Sequence, residues 1–560
     1  MTQSQGPRTG GQILIDQLAV QGTEHVFCVP GESYLAALDA LHDSDIAITI
    51  CRQEGGAAMM AEAAGKLTGR PGICFVTRGP GATNAAHGVH IAKQDSTPMI
   101  LFVGQVARDM REREAFQELD YRAVFGSMTK WTTEIDDPVR IPETISRAFH
   151  IAMSGRPGPV VIALPEDMLT ELALCEDARR VHVPDSAAPE SAVAQTLDAL
   201  AKAKRPLIVL GGSRWDTHSV ADMHALAERL DVPIAVSFRR QMLFDASHTH
   251  FAGDLALSTN PALLDYAKSS DLIVLLGGRM SEIASQSYTL LGIPNAGKVL
   301  VHVHPGAEEL GRVYQPDIAI NCAPGAFVSA MLKHDGPAAL NRSADVERLH
   351  TAYLDWSTPK PRHSERVDMN HVMTVLRDKL PADAIMANGA GNYATWLHRF
   401  HRFTRYGTQL APTSGSMGYG VPAAVAAARI ERGRTVIAFA GDGCFLMNGQ
   451  EFATAVQYDL PLVVLVIDNG MYGTIRMHQE REYPGRVVGT DLKNPDFSAY
   501  AKAFGGHGER VERSADFAPA LERAIASGKP AIIHCIIDPQ ALTIDRTLDD
   551  IRANALLQKN

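Results

Sequence analysis

The sequence holds little of what builds disulfide scaffolds, zinc sites or membrane spans. Only seven of the 560 residues are cysteine, and no two of them are spaced as Cys-x-x-Cys, which argues against a disulfide framework and a zinc site. The longest apolar runs, such as residues 462–467, are far too short to cross a bilayer. The polar first residues lack the apolar core of a signal peptide.

Positive charge is also in deficit. Lysine and arginine number 53 against 63 aspartates and glutamates, a formal net charge of −10, which argues against a nucleic-acid or anionic-membrane surface. At roughly 150 residues per domain, the length predicts three or four domains. We therefore expect a cytoplasmic, multidomain protein that binds neither nucleic acid nor membrane.

Short apolar runs alternate with alanine-rich, helix-like stretches, a pattern typical of parallel α/β layers. Two polar, proline-containing stretches, 176–192 and 335–366, are predicted to be interdomain linkers. They divide the chain into an N-terminal, a middle and a C-terminal block. Seven runs are predicted to be buried strands: 73–77, 99–103, 160–164, 207–210, 272–276, 436–440 and 462–467.

Two polar turns in the C-terminal block point to a metal and a phosphate. One predicted strand exits into Gly-Asp-Gly at 441–443, and the next into Asp-Asn-Gly at 468–470. Either turn alone is common in ordinary loops. Adjacent parallel strands would bring both to one edge, where the Asp442 carboxylate and the Asn469 amide oxygen can share one cation such as Mg²⁺. Glycine lets backbone N–H groups approach phosphate oxygens closely.

This segment resembles the fingerprint of thiamine diphosphate (ThDP) enzymes, which begins Gly-Asp-Gly and ends in two asparagines. Here Asp468 replaces the first asparagine. The resemblance implies Mg²⁺ coordinated by Asp442, Asn469 and the Met471 carbonyl, and a Met417 side chain that wedges the cofactor into a bent form. The cofactor-binding residues that it implies are Gly391, Asn392, Gly415, Met417, Gly441, Asp442, Gly443, Cys444, Asn469, Met471, Tyr472 and Gly473.

A glutamate in the N-terminal block matches the activating residue of ThDP enzymes. Glu54 is predicted to begin a helix of small residues, where a carboxylate also suits the helix dipole without any catalytic role. In ThDP enzymes of this type, one glutamate bonds N1′ of the cofactor pyrimidine, and Glu54 matches that position. The resemblance further implies a homodimer or homotetramer, because the cofactor then lies between blocks of different subunits.

Nearly the whole chain is similar to the acetohydroxyacid (acetolactate) synthase branch, on segments such as 26–33, 76–84 and 154–168. The implied fold is α/β, with three doubly wound parallel-sheet domains: pyrimidine-binding (1–175), middle (190–335) and diphosphate-binding (366–545). In this branch Phe116 and Gln117 would line the substrate pocket of the neighbouring subunit. The resemblance implies an FAD-binding place in the middle domain, but the branch's methionine-rich turn is missing, which argues against FAD.

Four positions that face the substrate depart from that branch. Glu32 stands for a glycine, Arg78 for a serine, Glu166 for a lysine and His478 for a tryptophan. Surface charge can account for Glu166, and His478 can be an ordinary loop histidine. We hypothesise that Glu32 supplies a proton or orients the substrate, and that Arg78 pairs with Glu32 or with a substrate carboxylate.

The expected activity is ThDP- and Mg²⁺-dependent decarboxylation of a 2-oxo acid, followed by protonation of the intermediate or its ligation to a second carbonyl. One alternative keeps the cofactor but acts on a CoA thioester as a lyase or decarboxylase, with the tail at 540–560 closing over the ligand. An alternative of another class is a flavin- or nucleotide-binding oxidoreductase. It is weak, because the glycine turns of the middle block lack the Gly-x-Gly-x-x-Gly spacing.

Overall fold

The computed structural model describes residues 6–335 and 342–559, which contain three six-stranded parallel sheets flanked by helices. The first sheet has the strand order β3-β2-β4-β5-β7-β6, and β1 pairs with β8 in a separate antiparallel ribbon. The strands of the sheet are β2 (His25–Cys28), β3 (Ala47–Ile50), β4 (Gly72–Val76), β5 (Met99–Gln105), β6 (Trp131–Glu134) and β7 (Pro159–Pro165), and those of the ribbon are β1 (Arg8–Thr9) and β8 (Leu172–Ala173). Its helices are α1 (Gly10–Val20), α2 (Leu35–His42), α3 (Glu54–Thr68), α4 (Gly79–Asp95), α5 (Tyr121–Phe125), α6 (Ile141–Met153) and α7 (Glu166–Thr170).

The middle sheet has the order β11-β10-β9-β12-β13-β14. Its strands are β9 (Pro206–Leu210), β10 (Ile234–Ser237), β11 (Phe251–Leu255), β12 (Leu272–Leu276), β13 (Val299–His304) and β14 (Ile318–Asn321). Its helices are α8 (Glu190–Lys202), α9 (Thr217–Leu230), α10 (Pro261–Ser269), α11 (Pro324–Lys333) and α12 (Ser343–Trp356).

The third sheet has the order β16-β15-β17-β18-β20-β19. Its strands are β15 (Ile385–Asn388), β16 (Gln409–Leu410), β17 (Val436–Gly441), β18 (Leu462–Asp468), β19 (His507–Val511) and β20 (Ala531–Ile536). The helices of this part are α13 (Met369–Lys379), α14 (Tyr393–Phe400), α15 (Gly420–Ile430), α16 (Asp442–Asn448), α17 (Phe452–Gln457), α18 (Gly473–Glu482), α19 (Phe497–Ala503), α20 (Phe517–Ala526) and α21 (Leu548–Lys559).

Continuous apolar runs become the central strands of these sheets. Every residue of β4, β5, β7 and β18 is buried, as expected for parallel strands covered on both faces. All seven predicted strands are confirmed, and β17 and β18 are parallel neighbours with Gly441 opposite Ile467. The carboxyl ends of these strands therefore meet at one edge, where ligands bind in open α/β sheets.

The chain divides into two compact units. The first contains the sequence up to Pro184 together with Val421–Gly433 and Asn448–Leu460. The second contains Asp185–Gly420, Arg434–Met447 and the sequence from Pro461 onward, and so holds both the middle and the C-terminal sheets. Two helical segments that follow the middle block in sequence thus belong to the first unit.

Two local predictions are wrong. Within the predicted linker 335–366, α12 forms and buries Val346, Leu349 and Tyr353, because their spacing places them on one helix face; residues 336–341 lie outside the described part. The predicted exit turn at 441–443 is instead a direct passage from β17 into α16, which begins at Asp442. In the described part of the chain, no helix is both long and apolar enough to cross a membrane.

Candidate active site

A cavity of about 240 Å³ lies in the second unit, at the carboxyl edge of the third sheet. All twelve residues predicted to bind the cofactor line it: Gly391, Asn392, Gly415, Met417, Gly441, Asp442, Gly443, Cys444, Asn469, Met471, Tyr472 and Gly473. The structure therefore brings together residues that follow four strands, β15, β16, β17 and β18.

Asp442 lies beside a second carboxylate at this edge. The Asn494 amide donates to Asp442 Oδ2 at 2.7 Å and to Asp468 Oδ1 at 2.9 Å. Burial and the negative charge of Asp468 raise the pKa of Asp442. Burial opposes ionisation of Asp468 too, but hydrogen bonds from His534 and the Gly470 amide lower its pKa overall. The two carboxylates repel each other and share one amide donor. A cation bound between them would reduce that repulsion.

The remaining oxygens at this edge suit a hard cation. Asn469 and Met471 line the cavity beside Asp442, and the Asn469 Oδ1 accepts the Met471 N–H at 3.2 Å. No group of three or more His, Cys, Asp or Glu side chains among the described residues is arranged to hold a metal. A cation here would thus depend on carboxylate, amide and carbonyl oxygens, which are the ligands that Mg²⁺ prefers.

Two glycines leave space that a side chain would fill. A Cβ on Gly443 would lie 2.6 Å from the Tyr472 ring, so the backbone of this helix start stays bare. Gly415 has φ +67° and nothing within 4 Å of its Cβ position, a backbone conformation that favours glycine. The residues present therefore fit a phosphorylated cofactor approached closely by backbone groups.

Met417 and Cys444 join the cavity wall to the core. Met417 packs against the hydrophobic core of the C-terminal part. The Cys444 Sγ accepts hydrogen bonds from the Gly418 N–H at 3.1 Å and the Tyr393 hydroxyl at 3.2 Å. Burial raises the pKa of Tyr393 well above its ordinary value, so its hydroxyl stays protonated as a donor.

The C-terminal tail forms part of the same wall. Asn392 Nδ2 donates to the Leu542 carbonyl at 2.9 Å, and the Thr474 hydroxyl donates to Asn392 Oδ1 at 3.0 Å. Beyond this contact, α21 packs on α18, where Arg552 donates to both oxygens of the buried Glu480 at 2.6 and 2.7 Å. The tail is thus an ordinary packed helix whose preceding loop reaches the cavity.

His478 lies on α18 and is exposed. Its Nδ1 is 2.8 Å from an Arg481 Nη2. Partial burial and the Arg481 charge lower the pKa of His478. The imidazole is therefore mostly neutral at pH 7.

Glu54 belongs to the first unit. It is the first residue of α3, as predicted, and is half-buried. Asn84 on α4 donates to Glu54 Oε2 at 2.9 Å, and a Cβ on Gly81 would lie 3.4 Å from Oε1. One carboxylate oxygen is thus fixed by an amide, and the other faces a small residue.

A second, fully buried glutamate holds the loop before Glu54. Glu451 accepts the Arg52 N–H at 3.0 Å, the Gln53 N–H at 2.9 Å and the Thr454 hydroxyl at 2.6 Å. Its burial raises its pKa to about 7. The segment carrying it, Asn448–Leu460, is one of those that join the first unit. Glu451 therefore positions the start of α3.

Three of the residues that depart from the synthase pattern meet at the carboxyl edge of the first sheet. Arg78 is 8 % exposed and lies between Glu32 and Glu166, with N–O distances of 3.3 and 2.5 Å. Gln117 is adjacent: its carbonyl accepts the Gly79 N–H at 3.0 Å, and its φ is +65°. Of the two partners proposed for Arg78, the structure shows Glu32. Surface charge alone does not explain Glu166.

Three family models match the chain. The N-terminal TPP binding domain of thiamine pyrophosphate enzymes matches residues 8–124, the central domain matches 193–331, and the C-terminal TPP binding domain matches 389–535. The chain belongs to the thiamine pyrophosphate enzyme family. Thiamine pyrophosphate is another name for ThDP, so the expected cofactor and the three-domain α/β fold are both confirmed.

This thiamine pyrophosphate enzyme is similar to acetolactate synthases over nearly its whole length. It is 30% identical over 545 residues to the acetolactate synthase large subunit of Parasynechococcus marenigrum, covering 94% of this chain and 87% of that protein. The acetolactate synthase isozyme 2 large subunit of Escherichia coli is 29% identical over 538 residues, with 94% and 95% covered. The acetolactate synthase of Bacillus subtilis is 27% identical over 539 residues, with 94% and 93% covered.

The comparisons narrow the sequence-based alternatives. They give no support for FAD, and they favour neither the CoA-thioester lyase nor the flavin oxidoreductase. The domain bounds and the roles of single site residues stay predictions. Sequence reasoning missed Asn494, His534 and Glu451, because none of them belongs to a recognisable motif.

Proposed function

We propose that this protein is an acetolactate synthase-like enzyme that depends on ThDP and Mg²⁺. It would decarboxylate a 2-oxo acid and then protonate the intermediate or ligate it to a second carbonyl. The observation that carries this proposal is the cavity at the edge of the third sheet, which gathers all twelve predicted cofactor residues in a chain matched by all three thiamine pyrophosphate domains.

The cavity wall divides into a metal end and a ring end in this proposal. Asp442, Asn469 and the Met471 carbonyl would hold Mg²⁺ and, through it, the diphosphate. The Gly415 carbonyl would accept a hydrogen bond from the cofactor's amino group, and the Met417 side chain would pack against the cofactor. When bound, ThDP supplies the electron sink for the bond that breaks as CO₂ leaves.

Glu54 is the proposed proton carrier. Because Asn84 occupies Oε2 at 2.9 Å, Oε1 is the oxygen left to bond the pyrimidine nitrogen and to move a proton there. General acid–base work by one positioned carboxyl typically contributes about 10²- to 10⁴-fold in rate. Glu451 supports this role by fixing the two backbone N–H groups that precede Glu54.

The substrate end is assigned to Glu32, Arg78, Gln117 and His478. Glu32 is 62 % exposed, so its carboxyl can reach a ligand and orient it or give it a proton. Arg78 fixes Glu32 from behind. Gln117 and the neutral imidazole of His478 would supply hydrogen bonds to the bound acid.

A homodimer or homotetramer in the cytoplasm completes the proposal. Phe116, which the resemblance places in the pocket of a neighbouring subunit, is 75 % exposed in the single chain. Burial of this aromatic side chain at a subunit interface would be favourable. Both enzyme classes, transferase and lyase, fit the proposal, because the fate of the intermediate decides between them.

The deciding experiment measures CO₂ release and products from a panel of 2-oxo acids with ThDP and Mg²⁺. We expect CO₂ release that is lost when Mg²⁺ is chelated and restored when it is added back. Acetolactate from pyruvate would place the protein with the synthases, and an aldehyde from a larger acid would make it a decarboxylase. No CO₂ from any acid, with ThDP shown to be bound, would overturn the proposal.

A further inference from the structure

Three arginines follow strands of the first sheet at its carboxyl edge, and each lies between two carboxylates. Arg78, after β4, pairs with Glu32 and Glu166. The other two follow β5 and pair with acidic residues at the ends of β6 and β7: Arg108 with Asp167 and Glu171, and Arg111 with Glu134 and Asp136, at 2.5–2.7 Å. Six carboxylates thus face three guanidinium groups, and this part of the edge carries excess negative charge.

The positive charge of Arg78 is already paired with two carboxylates. Arg78 is 8 % exposed, whereas Glu32 is 62 % and Glu166 is 36 % exposed. Both terminal nitrogens of the guanidinium already bond carboxylates. A ligand carboxylate arriving here would add a third negative group to one positive charge, and repulsion from Glu32 and Glu166 would disfavour it.

One donor of this cluster remains open. Arg78 Nε is buried and has no hydrogen-bond partner among the described residues. A neutral oxygen of a ligand, from a carbonyl or a hydroxyl, suits that donor. The free oxygen of the exposed Glu32 carboxylate suits a hydroxyl donor. The cluster therefore suits a ligand that carries both a neutral oxygen acceptor and a hydroxyl donor.

The cluster shares a helix with the proposed proton carrier. Arg78 immediately precedes α4, whose Asn84 bonds Glu54. The Gly79 N–H also bonds the carbonyl of Gln117. The first turns of α4 therefore connect the cluster to Glu54.

We propose that the cluster of Glu32, Arg78 and Glu166 selects a neutral, hydroxylated aldehyde as the second substrate and rejects a second 2-oxo acid. This inference rests on the proposed function. In the step, the C1 carboxylate of the first 2-oxo acid leaves as CO₂, and the carbonyl carbon left behind forms a C–C bond to the aldehyde carbon. The aldehyde oxygen takes up a proton, and a hydroxylated ketone is released without any redox change.

A competition experiment on the full-length protein with ThDP and Mg²⁺ tests the proposal. The first substrate is the 2-oxo acid that gives the fastest CO₂ release, and glycolaldehyde and 2-oxobutyrate compete as second substrates at equal concentration. We expect the hydroxylated ketone to exceed the carboxylated product by at least about tenfold, the cost of one poorly placed charge. Equal use of both acceptors, or CO₂ release with neither product, overturns the inference and leaves the proposed function standing.

Variants of Glu166 sharpen the test, because Glu166 has no assigned part in the chemistry. Glu166→Gln frees one Arg78 nitrogen, and we expect the product ratio to shift about tenfold towards the carboxylated product. Glu166→Asp keeps the charge and should keep the wild-type ratio. Glu24→Gln, at the exposed residue before β2 on the opposite edge, is the matched control. An unchanged product ratio in Glu166→Gln would refute this inference. If no 2-oxo acid gave CO₂, both this inference and the proposed function would be refuted.

Discussion

The cavity of the second unit and the ion-pair edge of the first unit differ in how they relate to the family pattern. At the cavity, every predicted cofactor residue reaches one wall, and a single change, Asp468, is absorbed by Asn494 and His534. At the edge, three departures lie together around Arg78. In the proposed function, cofactor chemistry and substrate choice are therefore assigned to residues that follow different strands, so one can change while the other is kept.

Asp442→Ala is the most direct way to break this comparison. Asp442 is the one carboxylate among the described residues that line the cavity, so we expect its loss to abolish ThDP retention and CO₂ release. The fold should remain, because the change also removes a repulsion with Asp468. Calorimetric titration of ThDP in Mg²⁺ gives the affinity, and circular dichroism checks folding.

Asn494→Ala should give a partial loss at the same site. Its amide orients Asp442 and Asp468 without reaching the cavity lining, so we expect Mg²⁺ affinity to fall by roughly 10- to 100-fold. Wild-type ThDP affinity in Asp442→Ala would show that the cofactor does not bind at this edge.

Glu54→Gln separates chemistry from binding in the first unit. We expect kcat to drop by roughly 10²- to 10⁴-fold with ThDP affinity unchanged, because the amide keeps the shape but cannot carry the proton. Asn84→Ala should cost about tenfold, since the carboxylate loses the donor that fixes Oε2. Steady-state CO₂ release gives both numbers. Equal losses in the two variants would mean that Glu54 acts only through its position.

The ends of the buried strands and the residues that line the cavity could be predicted from the sequence, for a physical reason. Buried parallel strands need continuous apolar runs, and such a run fixes where the chain emerges at the ligand edge. The turns after β17 and β18 then carry residues whose chemistry limits their use, namely a hard carboxylate, an amide and bare glycines. Most of the residues that line the cavity can therefore be predicted from local sequence.

Hydrogen-bond and ion-pair partners that are distant in the sequence could not be predicted. Asn494 lies in a polar loop with no local signal, yet it bridges two carboxylates at the metal end. The pairing of Arg78 with Glu166 depends on the order of β4 and β7 in the sheet, which apolar runs do not reveal. Helix α12 was missed because its three buried residues are spread among polar ones.

Glu451 tests whether the two regions are independent. It follows the metal turn in sequence, yet it holds the loop before Glu54. Glu451→Ala leaves two backbone N–H groups and the buried Thr454 hydroxyl without their acceptor, and we expect a loss of about 2–4 kcal/mol in the free energy of unfolding. Urea denaturation measures it. A loss of kcat beyond the loss of stability would show that Glu451 positions Glu54.

The pH dependence gives Glu451 a signature. Burial raises its pKa from near 4.5 to about 7 in the folded protein. Between these values the folded state holds a proton that the unfolded state has released, so stability falls as pH rises, by about 1.4 kcal/mol per unit. Above the folded value the loss is complete. Glu451→Gln should lack this slope, and the same slope in both proteins would assign it to another group.

Arg552→Gln makes the smallest expected change, at the tail that closes the cavity wall. Arg552 bonds both oxygens of Glu480, which is 0 % exposed, while Arg476 at 3.2 Å remains as a second partner. We therefore expect a local cost of only about 1–2 kcal/mol, seen as faster hydrogen exchange in α21 and weaker ThDP binding through the Leu542 loop. Unchanged hydrogen exchange in α21 would show that the Arg552–Glu480 ion pair does not stabilise the tail.

Acid should loosen the same contact in the wild type. The hydrogen bonds from Arg552 lower the pKa of Glu480 from near 4.5 to about 2. The stabilisation is therefore fully present above about pH 4.5 and is lost as the pH falls towards 2, because protonation removes the charge that both arginines bind. In Arg552→Gln the loss should be smaller and complete at a higher pH, since one arginine lowers the pKa of the folded carboxyl less than two do. The Glu54 loop, held by a carboxyl of raised pKa, should respond in the opposite direction over pH 4.5–7, so one titration followed by hydrogen exchange can distinguish the two regions.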